Sequence, residues 1–227
     1  MTMSLPTASD SVPPAAALSN TSRTSFGQVP DVLVDIYNPD VNMSVWQRQL
    51  SPELIEECRA LLDKQVFTAQ SLTLNSSQLN QLDDLLPEFA FYSQLNEDIK
   101  LLTEMFSCLF ELKFIGLRLT VLTGSMCPKF HVDWVPCRLV TTYCGVGTEW
   151  LPHENVDRSK LGTGSGGKSD AESGLYNSPK VIQTLNCGDV ALLKGESWQG
   201  NEGCGLVHRS PAVPENQRRL LLTMDFA

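Results

Sequence analysis

The sequence predicts an α+β fold in which N-terminal helices support a C-terminal β-sandwich or barrel. Two observations indicate this. Apolar residues recur at helical spacing before residue 116, and short β-prone runs separated by Gly, Pro and Asn follow it. A length of 227 residues suits one domain with appendages, and 42% hydrophobic with 19% charged residues is typical of a globular chain.

The domain is expected to begin near residue 31. Residues 1–30 are rich in Ser, Thr, Pro and Ala and hold few large apolar side chains, so they cannot bury enough surface to offset chain entropy. We therefore expect a disordered tail at 1–30 and a single α+β domain at 31–227. Within that domain, 31–115 is interpreted as mainly helical support and 116–227 as the β core.

One short strand and two helices are expected before residue 116. The run VLVDI at 32–36 alternates as in a strand, and NPD at 38–40 supplies a turn. Ser51 is a candidate N-cap with Pro52 at the first helical position, ahead of an apolar stripe. The spacing of apolar residues predicts a second helix from about Glu88 to Leu112.

Six β-prone runs follow. They are LRLTVL, RLVTTYC, VIQTLN, DVALLKG, GLVHRS and RRLLLTMDF. The second and third are separated by a Gly/Ser-rich stretch near 157–179, which we interpret as a flexible insertion.

That insertion holds GTGSGGKS at 162–169, which fits the phosphate-loop pattern. A working phosphate loop leaves a buried strand and enters a helix, because helix N-terminal amides bind the phosphates. Here a polar stretch precedes the motif, and Gly174 and Pro179 leave too little room for the helix. The flanks favour a loop between two strands over a nucleotide site.

Charge and cysteine content exclude other classes. The net charge of −9 argues against a nucleic-acid surface, and no apolar run approaches the roughly 18 to 20 residues of a membrane span. Seven cysteines form no CxxC pair and are odd in number, which disfavours a disulfide framework. The N-terminus lacks the basic and apolar regions of a secretory signal, so we expect a cytoplasmic protein.

Three residues form a candidate metal site. On a strand, residues i and i+2 point to the same face, so His131 and Asp133 can bind one ion together. His208 is the best candidate for a third ligand. Two histidines and one carboxylate leave open positions on a metal and suit Fe(II) better than structural zinc.

The last strand adds a candidate anion-binding arginine. In RRLLLTMDF the alternation places Leu220, Leu222, Met224 and Phe226 on one face, which we expect to pack under helices. Arg219 and Thr223 then share the inner face with the metal site, where a guanidinium can hold a carboxylate through two hydrogen bonds.

These residues resemble the Fe(II)/2-oxoglutarate-dependent oxygenases of the prolyl-hydroxylase-like branch. The matching positions, within residues 116–226, are His131-Val-Asp133, Arg138-Leu-Val-Thr141, His208 and Arg219-Leu-Leu-Leu-Thr223. The resemblance implies a double-stranded β-helix (jelly roll, cupin-like), Fe(II) bound by His131, Asp133 and His208, and a co-substrate site that includes Arg219, Thr223, Arg138 and Thr141. The family places a tyrosine three residues after the threonine, whereas Tyr143 comes two residues after Thr141.

The whole chain is also similar to a bacterial family of unknown function (DUF1826-like). The similarity rests on blocks such as IYNPDVNMSVWQR, CPKFHVDWVPCRLVTTYCGVGTEWL, GDVALLKGESW and GLVHRSP. It implies a link to zinc homeostasis, and therefore Zn(II) as an alternative to Fe(II).

Four nearby residues have simpler interpretations. His153 fits a loop residue better than a ligand, and Glu149 is a weaker candidate for a cupin-type carboxylate ligand. Cys127 and Cys137 flank the metal motif and could supply thiolates to zinc, but core packing of small buried cysteines is commoner.

The expected function is oxygenase chemistry with Fe(II) and 2-oxoglutarate on an unknown substrate, which is a small molecule or a protein. Two alternatives stay open: a zinc-binding protein without catalysis, and a cupin-like small-molecule-binding domain. An oxygenase needs open metal positions and the carboxylate clamp of Arg219, whereas a zinc holder needs a closed site of four ligands.

Overall fold

The computed structural model describes residues 23–64, 69–76 and 91–227. Most of the predicted tail, and the predicted start of the second helix at 88–90, lie outside the described residues. In the part of the chain that is described, no helix has both the length and the apolar character needed to cross a membrane.

A seven-stranded sheet dominates the structure. Its strands are β1 (Arg23–Gly27), β2 (Val41–Trp46), β3 (Ala69–Asn75), β4 (Phe114–Leu122), β5 (Cys137–Cys144), β8 (Val190–Lys194) and β10 (Arg219–Phe226). They lie in the order β1-β2-β8-β5-β10-β4-β3, and every neighbouring pair except β1 and β2 is antiparallel. Neighbouring strands in this sheet are mostly distant in sequence, because the chain leaves the sheet and returns to it several times.

A smaller sheet of three strands faces it. These strands are β6 (Glu149–Leu151), β7 (Gln183–Thr184) and β9 (Val207–Arg209), in the order β7-β6-β9. Between the two sheets lies the inter-sheet core, formed by Met43, Val45, Val140, Trp150, Leu185, Ala191, Leu193, Leu206 and Leu221. Two facing sheets around such a core form a jelly-roll-like fold.

The helices lie on the other side of the large sheet. They are α1 (Pro52–Asp63) and α2 (Ser93–Phe110), and a short α3 (Asp170–Ser173) lies in the insertion. As predicted, Ser51 caps α1 by accepting a hydrogen bond from the backbone N–H of Leu54, and Pro52 begins the helix. The helix-side core joins α1, α2 and the sheet; among its buried members are Leu54, Cys58, Leu61, Leu95, Ile99, Leu102, Phe106, Leu139, Tyr143, Leu192, Leu220, Leu222 and Met224.

Strand β10 shows the two-face pattern that its sequence predicts. Leu220, Leu222 and Met224 belong to the helix-side core, whereas Leu221 belongs to the inter-sheet core. We call these two sides of the large sheet the helix face and the site face. Because side chains alternate along a strand, one strand serves both cores.

The region before residue 116 differs from the expectation. The run at 32–36 is not a strand but part of a 3-10 helix, Pro30–Tyr37, started by Pro30. β1 lies inside the predicted tail, and β2 and β3 lie in the segment interpreted as mainly helical. β2 was missed although Val41, Met43 and Val45 alternate with the polar Asn42 and Ser44, and the structure buries both of its faces.

The insertion forms short turns of helix and packs on the outer side of the small sheet. Its Leu161, Leu175 and Tyr176 join a third apolar cluster with Phe130 and Leu151. The phosphate-loop motif is preceded by a 3-10 turn instead of a buried strand, and the helix that follows it, α3, has only four residues. The local structure therefore lacks the strand-loop-helix arrangement that phosphate loops use.

Candidate metal centre

His131 and His208 are brought together by backbone pairing. Each residue donates its N–H to the carbonyl of the other at 3.0 Å, as directly opposed residues of an antiparallel pair do. Opposed residues place their side chains on the same face, and the two imidazole rings lie 4.7 Å apart between centroids. His208 is 7% exposed, so it lies at the buried end of the site.

Asp133 completes the group. One carboxylate oxygen lies 3.3 Å from Nε2 of His208, and the other lies 3.8 Å from Nε2 of His131. Candidate ligand atoms of the three residues all lie within 4.8 Å of one another. Among the described residues, no other cluster of three or more His, Cys, Asp or Glu side chains meets this condition.

The hydrogen bonds of the rings orient both Nε2 atoms toward the site. Nδ1 of His131 lies 2.9 Å from the carbonyl oxygen of Lys129, and Nδ1 of His208 lies 3.1 Å from that of Leu206. A carbonyl only accepts, so in each neutral ring Nδ1 carries the proton and Nε2 presents its lone pair. Such outer contacts fix the tautomer of metal-ligating histidines.

Nearby charges suit these groups to cation binding. Burial raises the pKa of Asp133, but the hydrogen bond to His208 and the charge of Arg138 outweigh it and bring the pKa to about 2. Burial, followed by the neighbouring His208, lowers the pKa of His131. At neutral pH the site therefore offers a carboxylate and a neutral imidazole, the protonation states that bind metal.

The backbone around Asp133 is held by the end of β8. The carbonyl of Asp133 accepts the N–H of Glu196 at 2.9 Å, and the N–H of Gly195 bonds to Pro136. A Cβ at Gly195 would lie 2.0 Å from the carbonyl oxygen of Val135, so only glycine permits this approach.

Arg138 bridges two carboxylates beside the ligands. Its Nη1 donates to Asp133 at 2.7 Å, while Nε and Nη2 bind both oxygens of Asp225 at 2.7 and 2.8 Å. This guanidinium, predicted as part of the co-substrate site, is thus engaged with a candidate ligand and a second aspartate.

Arg219 lies deeper, on the site face at the start of β10. It is 1% exposed and donates to hydroxyls of Ser210, Thr142 and Thr148 at 3.2, 3.0 and 2.7 Å. Its Nε has no partner, and burial lowers its pKa to about 10. Within the described residues no carboxylate pairs with it, so its charge is buried and uncompensated.

Of the two predicted threonines, Thr223 lines the site and Thr141 does not. Thr223 borders the narrow cavity that also contacts His131, His208 and Arg219. The cross-strand neighbours of Thr141 are Val190 and Leu222, both in the helix-side core.

Thr142 instead faces the site. Tyr143, one residue further, lies on the helix face and donates its hydroxyl to Asp98 at 2.7 Å. A single position along β5 therefore separates the site from the helix-side core.

The weaker candidates lie outside the cluster of three ligands. Glu149 pairs with Arg209 at 2.6 Å, and His153 lies 3.3 Å from Arg158. Cys137 is buried on the helix face, whereas Cys127 borders the cavity without joining the ligand cluster.

The sequence interpretation missed four polar residues around these groups: Thr142, Thr148, Ser210 and Asp225. Two of them carried a usable signal. Ser210 follows His208 by two positions, and Asp225 follows Thr223 by two, so each shares a face with a predicted site residue.

The fold and the site together define a jelly-roll-like protein with a candidate centre of two histidines and one carboxylate. The chain belongs to the family described as Protein of unknown function (DUF1826), whose model matches residues 27–225. A comparison with curated proteins finds no match.

Several solved structures are similar to this chain. A dioxygenase for auxin oxidation from rice has a TM-score of 0.46 at 12% identity, covering 80% of this chain and 72% of that chain. A prolyl-4-hydroxylase from Pseudomonas putida has a TM-score of 0.41 at 13% identity, covering 86% and 96%. A 2OG-Fe(II) oxygenase family oxidoreductase from Burkholderia pseudomallei has a TM-score of 0.42 at 10% identity, covering 89% and 94%. At this distance the similarity assigns neither activity nor residue roles.

Proposed function

We propose that this protein is an oxygenase that uses Fe(II) and 2-oxoglutarate. The observation that carries the proposal is the buried guanidinium of Arg219, which has no carboxylate partner among the described residues and shares a cavity with His131 and His208. Burying an unpaired charge is costly, so its retention next to a candidate metal site indicates an anionic ligand.

The donor set suits a catalytic metal. Nε2 of His208 and a carboxylate oxygen of Asp133 lie 3.3 Å apart, so both atoms can bind the same divalent ion. Three ligands from His131, Asp133 and His208 leave positions open, which favours Fe(II) over a closed structural zinc site.

The charges favour a dianion. Asp133 and Asp225 together carry two negative charges and Arg138 carries one positive charge, so this group has a net charge of about −1. A divalent ion and the guanidinium of Arg219 bring the cavity to about +2. A dianion such as 2-oxoglutarate neutralises it, whereas a monoanion leaves a buried charge uncompensated.

The spacing also fits. Ser210, which contacts Arg219, follows His208 by two residues, or about 7 Å of extended chain. A five-carbon dicarboxylate can span this separation with one end at the metal and the other at Arg219.

Each residue then has a defined task. His131, Asp133 and His208 hold the metal, and Arg219 binds the far carboxylate while Thr142, Thr148 and Ser210 orient its guanidinium. Thr223 borders the space between them. When bound, Fe(II) with 2-oxoglutarate supplies the oxidation of a substrate by dioxygen.

All seven cysteines are free thiols, which supports a reducing, cytoplasmic setting.

Anaerobic titration of the metal-free protein with Fe(II) and then 2-oxoglutarate tests the proposal. Chelation by the keto acid should give a weak visible charge-transfer band in the wild type. Arg219→Ala should still bind Fe(II) but lose most of the band at the same 2-oxoglutarate concentration, and Arg219→Lys should recover part of it.

Two outcomes would overturn the proposal. Equal bands in wild type and Arg219→Ala would show that Arg219 does not bind the far carboxylate of 2-oxoglutarate. A wild type that shows no band but takes up one tightly bound Zn(II) per chain would favour a zinc-binding protein.

A further inference from the structure

Asp225 is an unexplained feature of the candidate centre. It lies on the site face of β10, directly opposite Arg138 of β5 in the antiparallel register. The two side chains form a bidentate ion pair at 2.7 and 2.8 Å, although each is more than one quarter exposed. Asp225 is not itself in the ligand cluster, so its contact with the site runs through the guanidinium.

The pairing leaves one N–H group of Arg138 directed at the ligand. Asp225 occupies Nε and Nη2, and the remaining Nη1 donates to Asp133 at 2.7 Å. The guanidinium is planar and rigid, so fixing two of its nitrogens also fixes the direction of the third. Strand register therefore determines where Asp133 is held.

We infer that Asp225 is a positioning residue, which through Arg138 fixes the carboxylate of Asp133 and restricts it to binding metal through one oxygen. This inference rests on the metal-binding part of the proposed function. A carboxylate oxygen that already accepts a charge-assisted hydrogen bond binds a cation less strongly. Binding of the metal through both oxygens of Asp133 is therefore disfavoured. Single-oxygen ligation keeps a further metal position open.

Binding of Co(II) to the metal-free protein tests the inference without co-substrate or turnover. Isothermal titration gives the affinity, and the visible d–d spectrum reports the coordination number. In Asp225→Asn, Arg138 is released from its ion pair. We expect Co(II) affinity to fall about 10-fold to 100-fold, as is typical for the loss of an outer-shell partner, and the d–d bands to change in intensity and position.

Two variants serve as controls. Asp98→Asn removes the carboxylate of a comparable bidentate pair with Arg48, on the helix side of the large sheet, and should leave both readouts unchanged. Asp225→Glu keeps the charge and should restore part of the affinity and of the wild-type spectrum. Circular dichroism checks that each variant is folded.

The possible outcomes separate the proposals. Weaker binding with an unchanged spectrum would mean that Asp225 contributes charge alone, and it would overturn the positioning role. Unchanged affinity in folded Asp225→Asn would overturn it as well. If wild type binds no Co(II) or Fe(II), the proposed metal site itself fails. If Asp225→Asn behaves as expected but no band forms with 2-oxoglutarate, only the oxygenase proposal fails.

Discussion

Along β10, the two faces of the large sheet have opposite chemistry although they share one strand. On the helix face, β10 contributes Leu220, Leu222 and Met224 to the helix-side core, where all three are fully buried. On the site face the same strand carries Arg219, Leu221, Thr223 and Asp225. Apolar burial on the helix face therefore stabilises the fold, and it offsets the free energy lost by burying a charge on the site face.

The difference between the faces is energetic as well as chemical. A fully buried leucine stabilises the folded state by about 1.5–3 kcal/mol relative to an exposed one. The buried guanidinium of Arg219 is instead desolvated with only neutral hydroxyl partners. Changes on the helix face should lower stability without affecting the site, and changes on the site face should do the reverse.

The largest expected effect is on metal binding, from His208→Ala. Removing one of three ligands should weaken binding by more than the roughly 100-fold cost of losing an outer-shell partner. The fold should remain, because β9 keeps its backbone bonds to His131 and β6. Metal analysis after dialysis, together with the thermal midpoint, measures both effects.

His153→Ala is the matched control, because this third histidine lies beside Arg158 and outside the ligand cluster. It should retain full metal content. If His208→Ala also retained one metal per chain, the assigned ligand set would be wrong.

The second prediction compares adjacent leucines on opposite faces. Leu222→Ala should lower the free energy of unfolding by about 2–5 kcal/mol, because it leaves a cavity in the helix-side core. Leu221→Ala should cost less, because Leu221 borders the site cavity, where water can fill the space. Denaturant titration gives both values.

Metal affinity provides the second readout for this pair. Leu222→Ala should bind metal like the wild type wherever it is folded. Equal losses of stability in the two variants would show that the faces do not differ in packing.

The third prediction concerns the buried charge itself. Without ligands, Arg219→Met should change the free energy of unfolding by less than about 1 kcal/mol, since relief of desolvation offsets the lost hydrogen bonds. With metal and 2-oxoglutarate at 100 times the dissociation constant, wild type should gain about 2.7 kcal/mol from the co-substrate and the variant almost none. Thermal unfolding with and without 2-oxoglutarate distinguishes these states, and a variant stabilised as strongly as wild type would contradict the assignment.

Much of this two-face arrangement could be predicted from the sequence. α1, its Ser51 cap and the alternation of β10 are local signals, and the structure contains them. His131 and Asp133 do lie close together, but not on the strand from which their spacing was interpreted, because His131 forms an isolated bridge and Asp133 lies in a loop. Local periodicity suffices where one face of an element is apolar and the other is not.

The remaining features depend on contacts that are distant in sequence. Whether Thr141 or Thr142 faces the site is set by pairing with β8 and β10, where the register shifts between Leu220 and Leu221. Asp225 gains its partner only when β10 pairs with β5. The 3-10 helix at 30–37 alternates in sequence like a strand, and the proline at its start was the contrary signal.

The last prediction concerns the buried cation of the helix face, Lys194. Its ammonium donates to the carbonyl of Asn38 at 3.0 Å and lies 4.9 Å from the ring centre of Trp198. Burial lowers its pKa to about 8, despite the opposing influence of Cys137 and Asp40. The pKa in the unfolded chain is about 10.4, so between these values the unfolded state binds more protons and stability should rise with pH.

Lys194→Met removes this dependence while keeping a long, flexible side chain. The difference in thermal midpoint between wild type and variant should therefore shift in favour of wild type from pH 7 to pH 10. Contributions from other groups cancel in the difference, since both proteins share them. Parallel pH curves would show that the ammonium is as well solvated in the folded protein as in the unfolded chain. Metal affinity should not change in this variant, because Lys194 lies on the opposite side of the sheet from His131, Asp133 and His208.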